Sequence, residues 1–390
     1  MNTLIAPADE AGIIDAVRAA RAAGEPLAIE GQGSKRGLLR PVQARRSLST
    51  RALAGVTLYR PAELIISAYA GTPLAEIEAV LAEKGQQLIA EPPYLNGVFG
   101  TRAPPSIGGV VAANLSGPRR IAWGATRDHV LGLRFVNGKG EVIRSGGRVL
   151  KNVTGLDLCK LLSGSYGTLG VIMEVTLKVL PAPETSATLL IETLDLADAV
   201  AALSAGLGSP FGVSAAAAMS RSAQGVAALR LEDFAASVAY RMDRLRVMLD
   251  RFGAQRVLED GESRAFWRSM REVEPLELSA AETLWRVSVR PSAGPDIAAL
   301  ASRIGGRSLL DWGGGLVWIA APSDPANHAA IAEAVRAQGG TTMLFRAPDF
   351  LRFSAPVIPE SSNALHRIET RVKQALDPDG LFNPGHLRAS

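Results

Sequence analysis

Cysteine is almost missing from this chain: its 390 residues include one, Cys159. No intrachain disulfide can form, and no cysteine-based zinc centre can be assembled. Cys159 reads most simply as a small buried hydrophobe. Histidine is scarce as well. His129, His328, His366 and His386 are scattered, with no i, i+4 pair, so no metal site is expected. No stretch approaches the roughly 20 apolar residues that span a bilayer. Asp9 and Glu10 precede any apolar periodicity, so no signal peptide is expected. Basic residues form no long run, and 42 Lys+Arg against 38 Asp+Glu leave a net charge of +4. A nucleic-acid partner is therefore not indicated, despite a sequence pI near 9.4. What remains, 47% hydrophobic and 21% charged, is the composition of a folded cytoplasmic protein. Its length exceeds what one core usually covers, so two or more domains are expected.

The first part of the chain opens with a helix over 9–23, with Ile13, Ile14, Val17 and Ala20 on one face and Gly24 as its stop. A strand over Pro26–Glu30 runs into Gly31-Gln32-Gly33-Ser34-Lys35-Arg36-Gly37. No helix follows this loop, because Pro41 and the run 45–50 break the period. Residues 63–70 read as a buried strand, after which Thr72 caps a helix that begins at Pro73 and stops at Gly85. Asn137-Gly138-Lys139-Gly140 joins two strands, 130–136 and 141–145, as a hairpin. An apolar strand at 171–180 leads to Pro181 and Pro183, which mark a boundary.

Beyond that boundary strands and helices alternate. Strands are expected at 187–194, 226–231, 284–290, 307–311 and 316–321. Helices are expected at 196–207, 233–252, 296–304 and 325–338, and near the end at 362–376. In the helix at 233–252, Phe234, Val238, Met242, Leu245 and Leu249 form the inner face. This second part reads as α+β.

Three glycine-rich segments in the first 170 residues carry the functional signal. Glycine brings main-chain N–H groups close to an anion and accepts positive φ, so such loops build phosphate-binding nests. By itself Gly31-x-Gly33 is weak evidence, since such a pair is more often a plain turn. Its setting excludes two other nucleotide loops. A Rossmann fingerprint needs a helix after the loop, and a Walker A loop needs Gly-Lys followed by Ser or Thr, whereas Gly140 follows Gly138-Lys139. The second segment, Ser106-Ile107-Gly108-Gly109, suits a helix start packed against something flat or bulky, or equally plain close helix–strand packing. The third, with Gly164, Gly167 and Gly170 every third residue, cannot be a helix interior and suits a loop hugging a ligand or another backbone. Together the three accommodate one long ligand with its diphosphate at Gly31–Lys35.

In their order, these segments resemble the FAD-binding domain of the vanillyl-alcohol-oxidase/PCMH flavoprotein superfamily. The matching residues are Gly31-Gln32-Gly33-Ser34-Lys35, Ala70-Gly71-Thr72-Pro73-Leu74, Ser106-Ile107-Gly108-Gly109 and Ser116-Gly117-Pro118-Arg119-Arg120. Within it the chain is similar to the family of FAD-binding E subunits of bacterial glycolate oxidases. Arg127-Asp128, Lys151-Asn152-Val153-Thr154-Gly155 and the closing Asp377-Pro378 to Phe382-Asn383-Pro384-Gly385 are the pieces specific to that neighbourhood. The resemblance implies an α+β fold. A PCMH-type FAD-binding domain of two α+β subdomains covers 1–183, an α+β cap domain with an antiparallel sheet covers 184–345, and a C-terminal segment, 346–390, returns to the FAD domain. It further implies that Gly31, Gln32, Gly33, Ser34 and Lys35 hold the diphosphate and that Ser106, Gly108, Gly109, Asn114 and Gly117 line the flavin. Asp128 and the strand start Val171-Ile172 are expected at the flavin or the adenosine end. Members with covalent flavin carry His or Cys in segments that contain neither here, so dissociable FAD is expected.

Oxidising a 2-hydroxy acid also needs a base and a cation for the carboxylate. Arginine is the natural carboxylate clamp. On a strand reaching 290, Arg286, Ser288 and Arg290 share one face, opposite Val287 and Val289, so Arg286 and Arg290 are substrate-anion candidates; a solvated sheet face is the alternative. His129, beside Asp128 in a segment expected to line the flavin, is the histidine singled out as a catalytic candidate, and no residue offers a convincing general base. Trp312 in Asp311-Trp312-Gly313-Gly314-Gly315 is either a flavin neighbour or a core aromatic. The resemblance implies a complex: a paralogous D-type flavoprotein subunit oxidises the small 2-hydroxy acid, and an iron–sulfur F-type subunit passes electrons to the quinone pool, with attachment to the inner membrane through these partners. A stand-alone FAD oxidoreductase and a FAD-free scaffold stay open beside it.

Overall fold

The computed structural model describes residues 3–147, 156–221 and 224–388. The segment Lys151–Gly155, singled out above, lies outside them. The chain divides into two compact units: Met1–Ser116, Ala125–Ala182 and Glu360–Ser390 form the first, and Gly117–Gly124 with Pro183–Pro359 the second. Residues 346–359 thus stay with the second unit, and the return to the first begins at 360.

The first unit holds two sheets. In one, Thr3–Ile5, Arg46–Ser49 and Leu27–Glu30 lie parallel, with Arg46–Ser49 in the middle. Against them packs the helix Glu10–Ala23. The Asp9 carboxylate accepts from Gly12 N, and Gly24 ends the helix in the left-handed region. Ile13, Val17 and Ala20 are wholly buried with Leu27, Leu48, Val171 and Phe382. The other sheet is antiparallel, in the order Val56–Arg60, Ile65–Tyr69, Val171–Pro181, Val130–Val136, Val142–Gly146, with Gln86–Leu88 also on Val171–Pro181. The helices Leu74–Ala82 and Ile107–Ala113 cover it with Leu74, Ile77, Val110 and Val111. Thr72 does not cap the first of these as expected. Pro73 is the cap residue, and the Thr72 hydroxyl instead donates to Tyr69 O (2.6 Å) and accepts from Gly55 N (2.9 Å).

The tail is stitched to the parallel sheet. Leu27 N donates to Leu381 O (2.8 Å), Asn383 N to Leu27 O (3.0 Å) and Ile29 N to Asn383 Oδ1 (2.6 Å). The buried Asp377 carboxylate accepts from Leu381 N, Phe382 N and Lys373 Nζ, so the turn at 377–382 is fixed by charge-assisted bonds.

The second unit is built on one antiparallel sheet. Its order is Ala254–Glu259, Thr185–Thr193, Gln224–Asp233, Ala215–Arg221, Arg307–Asp311, Leu316–Pro322, Glu282–Ser288, Thr341–Arg346. Helices Leu196–Leu207, Ala235–Leu249, Asp260–Arg271, Gly294–Arg303 and Pro325–Ala337 supply the apolar stripes that bury it. Phe234 departs from expectation. It precedes the helix as its cap residue and is exposed, while Val238, Met242, Leu245 and Leu249 are buried. The strand expected to reach 290 ends at Ser288.

Candidate cofactor and substrate sites

The three glycine segments meet in the first unit. The Gly31–Gly37 loop leaves the parallel strand Leu27–Glu30, and Ser49 Oγ on the neighbouring strand donates to Gly31 O (2.7 Å). Gln32 Nε2 donates to Gly71 O (2.9 Å), tying the loop to the turn after Ile65–Tyr69. Ser106 caps the helix Ile107–Ala113, its hydroxyl accepting from Gly109 N (3.3 Å). Gly108 N donates to Ala70 O (2.9 Å), and a Cβ at Gly108 would lie 2.6 Å from Ala70 Cβ. Close helix-to-strand packing therefore requires that glycine. The third segment continues the cluster: Gly164 N and Tyr166 N donate to Val111 O and Ala112 O at the helix end (3.1 and 2.8 Å). A Cβ at Gly167 would meet Asn383 Nδ2 at 2.9 Å, and one at Gly170 would meet Phe135 at 2.8 Å. Those two glycines serve protein packing.

Gly33 is at φ +76°. Among the described residues, the main-chain N–H groups of Gln32, Gly33 and Ser34 donate to no protein acceptor. A run of three such donors at a positive-φ glycine is an anion nest. Ser34 is buried, and Lys35 Nζ lies 3.4 Å from its hydroxyl. Arg36 folds back over the loop onto Glu30 through Nε and Nη2 (2.7 and 2.5 Å), and that pairing raises the guanidinium pKa. These donors and cations fit a dinucleotide diphosphate. A further polar atom in the same cluster, Ser165 Oγ, is buried without a hydrogen-bond partner.

Asn114 ends the helix Ile107–Ala113 at φ +48°, and its Oδ1 accepts from Arg127 N (3.0 Å). Asp128 is exposed, and its carboxylate accepts from Ala125 N (2.8 Å), ordering the turn Thr126–His129. His129 is half-buried and, with Thr126, borders a small cleft whose other walls include Leu88, Ile89, Ile107 and Val110. Val171 and Ile172 point their side chains into different apolar cores of the first unit, so only their main chain is left to meet a ligand. Gly117 belongs to the second unit, where its carbonyl accepts from Trp312 Nε1 (3.1 Å).

The second unit gathers cations around that tryptophan. Trp312 is nine-tenths buried, adopts φ +53°, and its N–H donates to Asp311 Oδ1 (2.7 Å). The Arg120 guanidinium carbon lies 4.1 Å from the Trp312 ring centre, and that of Arg286 lies 5.1 Å from it and 5.9 Å from Trp318. Arg286 sits in the sheet interior opposite Trp318 and Met343. Arg290 is exposed beyond the strand end and donates to Gln338 Oε1 (2.7 Å). The expected alternation of Arg286 and Arg290 on one face fails for that reason. Arg120 was not singled out for this cluster. The neighbouring pair Arg119-Arg120 was its only sequence signal, because the contact spans 192 positions from 120 to 312.

His328 is buried in the second unit and its Nδ1 accepts from Trp285 Nε1 (3.1 Å). His366 is exposed near Glu369, and His386 Nδ1 contacts Arg40 O. Among the described residues, no group of three or more His, Cys, Asp or Glu is placed to hold a metal ion. No helix among them is long and apolar enough to cross a membrane. Cys159 is buried against Ser145 O, and burial pushes its thiol pKa up.

Comparison with known proteins agrees with this geometry. A sequence model described as an FAD binding domain matches residues 2–146. The chain is 38% identical over 368 residues to the glycolate oxidase subunit GlcE of Escherichia coli K12, covering 93% of both chains. It is 47% identical over 85 residues to the glycolate oxidase subunit GlcD of Bacillus subtilis, 22% of this chain and 18% of that one. In fold it matches 4-ethylphenol oxidase from Gulosibacter chungangensis at a TM-score of 0.74 and 15% identity, over 99% of this chain and 89% of that one. The chain belongs to the family of FAD-linked oxidoreductases that contains the glycolate oxidase subunit GlcE, and it carries the PCMH-type FAD-binding fold.

Proposed function

We propose that this chain is the FAD-binding E-type subunit of a glycolate-oxidising complex. In it a D-type flavoprotein subunit and an iron–sulfur F-type subunit complete the path from a small 2-hydroxy acid to an electron acceptor, with the assembly attached peripherally to the inner membrane. The observation that carries the reading is the nest at Gln32–Ser34, in a chain that matches a glycolate oxidase subunit over nearly its whole length. Bound FAD would supply the two-electron acceptor. The main chain of Gly31–Lys35 holds the diphosphate, with the Lys35 ammonium offsetting its charge. Ser106, Gly108, Gly109 and Asn114 present main chain and small side chains toward the isoalloxazine, with Gly117, Asp128 and the Val171-Ile172 main chain as further contacts. FAD is held without a covalent bond, since Cys159 is buried and the diphosphate loop has no His or Cys.

For substrate, Arg286 is the carboxylate clamp and Arg290 an outlying cation. His129 is the residue for the hydroxyl proton where this subunit oxidises substrate itself. A second reading is a flavin reduced directly by hydroxy acid in this subunit. Purified chain titrated with FAD should develop bound-flavin absorbance that denaturation releases. Addition of glycolate, with and without companion subunits, then separates the two readings. A chain that binds no FAD would overturn both and leave a scaffold.

A further inference from the structure

We propose that the C-terminal tail is a clasp on the cofactor loops, and that Asn383 is a positioning residue that sets FAD affinity through Ile29 and Tyr166. The inference rests on the reading of Gln32–Ser34 as the diphosphate nest, and every residue it uses lies in the first unit. It gives a role to the closing motif from Asp377 to Gly385, which has no part in the site described so far.

The tail runs along the Leu27–Glu30 edge of the parallel sheet, where Phe382 pairs with Leu27. One residue on, the Asn383 side chain stands in for a further strand residue. Its Oδ1 accepts from Ile29 N (2.6 Å) and its Nδ2 donates to Ile29 O (3.4 Å), so the primary amide pairs with both main-chain groups of Ile29. Ile29 stands two residues before Gly31. Nδ2 also donates to Tyr166 O (2.8 Å) in the third glycine segment. Asn383 is buried at φ +46°, a conformation that asparagine accepts more readily than most residues. Past it, Gln43 N donates to Pro384 O (2.9 Å) and Arg40 N to His386 O (3.2 Å). The same few residues therefore hold the chain that enters the Gly31–Gly37 loop and the chain that leaves it. Lys373 Nζ completes the clasp, donating to Thr168 O (2.6 Å), Asp377 Oδ2 (2.6 Å) and Phe382 O (3.1 Å).

A nest has to be imposed by its flanks. Main-chain N–H dipoles that converge on one point repel one another until an anion arrives. Ile29 and Arg40 are the held points on either side of the loop, and both are held by the tail. Released from those bonds, the loop gains conformations that do not bind a diphosphate, and FAD binding then carries the cost of ordering it. Asn383 also ties the loop's entry strand to the third glycine segment, so one side chain keeps two of the three glycine segments in register. Loss of its amide should therefore appear as weakened FAD binding in a chain that is still folded.

The test titrates FAD into the flavin-free full chain, followed by quenching of flavin fluorescence, and reads hydrogen–deuterium exchange over residues 30–37. Asn383→Gly keeps the positive φ and deletes all three side-chain bonds. Asn383→Asp keeps the acceptor for Ile29 N and sets a carboxylate against the carbonyls of Ile29 and Tyr166. Each should weaken FAD binding at least tenfold and speed exchange at 30–37 in the flavin-free chain, with the far-UV circular dichroism of a folded protein. Val179→Ala, a buried change near the end of the strand Val171–Pro181, should lower the melting temperature and leave both readouts at wild type. If Asn383→Gly does not fold, Asn383→Asp decides, and wild-type affinity there overturns the proposal. Wild-type affinity in folded Asn383→Gly overturns it as well, as does weaker binding with exchange at 30–37 unchanged. Those results leave FAD binding itself in place, whereas a wild-type chain that takes up no FAD removes the cofactor reading and the clasp together.

Discussion

The hydroxyl of Ser106 occupies the space that a side chain at position 31 would need: a Cβ on Gly31 would lie 2.0 Å from Ser106 Oγ and 3.2 Å from Ser106 Cβ. Gly31 is thus demanded by a helix cap 75 positions away, and the Gly31–Gly37 loop and the helix Ile107–Ala113 are packed as one piece. Gly31→Ala should lower stability of the FAD-free chain by about 1–3 kcal/mol through overpacking. Ser106→Ala by itself should cost about 0.5–2 kcal/mol, the worth of an N-cap. The double variant should lose less than the sum, because removing Oγ relieves the overlap introduced at 31. Urea denaturation of the four proteins measures this. Strict additivity would mean that the loop moves away from the cap instead of pressing on it.

Gly33 answers a different demand. Its φ is +76°, and a Cβ there would lie 3.2 Å from the Arg36 guanidinium that is held by Glu30. Gly33→Val places a β-branched residue in a backbone region that costs on the order of 1–3 kcal/mol and turns a side chain toward the nest. Bound flavin should be lost from the purified variant, with Gly33→Ala intermediate. Full flavin occupancy in Gly33→Val would remove the loop from the cofactor site.

Much of the cofactor region was legible because its signals are local. A stop at Gly24 and the hairpin at 137–140 each act within a few residues. Sequence reading failed where polar or small residues do core work. Ala215–Ala218 carry no large apolar side chain to mark a strand, yet all four are wholly buried in a central strand. The helix Asp260–Arg271 was not expected, although Trp267 and Met270 mark its inner face; Ser263 completes that face, hydrogen-bonded to Ser186 and Thr188 (2.8 and 2.7 Å), with Trp267 Nε1 also on Thr188. The Trp312 cluster was half visible. Arg286 could be found from strand alternation, whereas Arg120 arrives from a distant segment, and Arg290 was lost when the strand stopped two residues early.

The buried cluster of Arg119, Arg230 and Glu232 can be tested through its carboxylate. Glu232 accepts from Arg119 and lies 3.2 Å from Arg230 Nε, all three side chains being nine-tenths or more buried. Glu232→Gln leaves two buried guanidiniums without their counter-charge, and such a break costs roughly 3–5 kcal/mol. Equilibrium unfolding should show a loss of that size. A loss below 1 kcal/mol would show that water reaches the pair.

His328 makes stability depend on pH. It is buried, burial lowers its pKa, and its Nδ1 accepts from Trp285 Nε1 only while that nitrogen is unprotonated. Above about pH 6.5, the ordinary histidine value, folded and unfolded chains both carry neutral imidazole here, and the contribution is complete. As pH falls below that value the unfolded chain takes up the proton first, so stability declines until the lowered folded pKa is passed, where the loss levels off. His328→Gln keeps an oxygen acceptor for Trp285 and removes the titration. Denaturation of the two proteins between pH 8 and pH 5 should give curves that converge at the alkaline end relative to their own plateaus. The wild type should then lose more than the variant below pH 6.5. Parallel curves throughout would mean that His328 is protonated as easily in the folded chain as in the unfolded one, and that the bond from Trp285 does not hold it neutral.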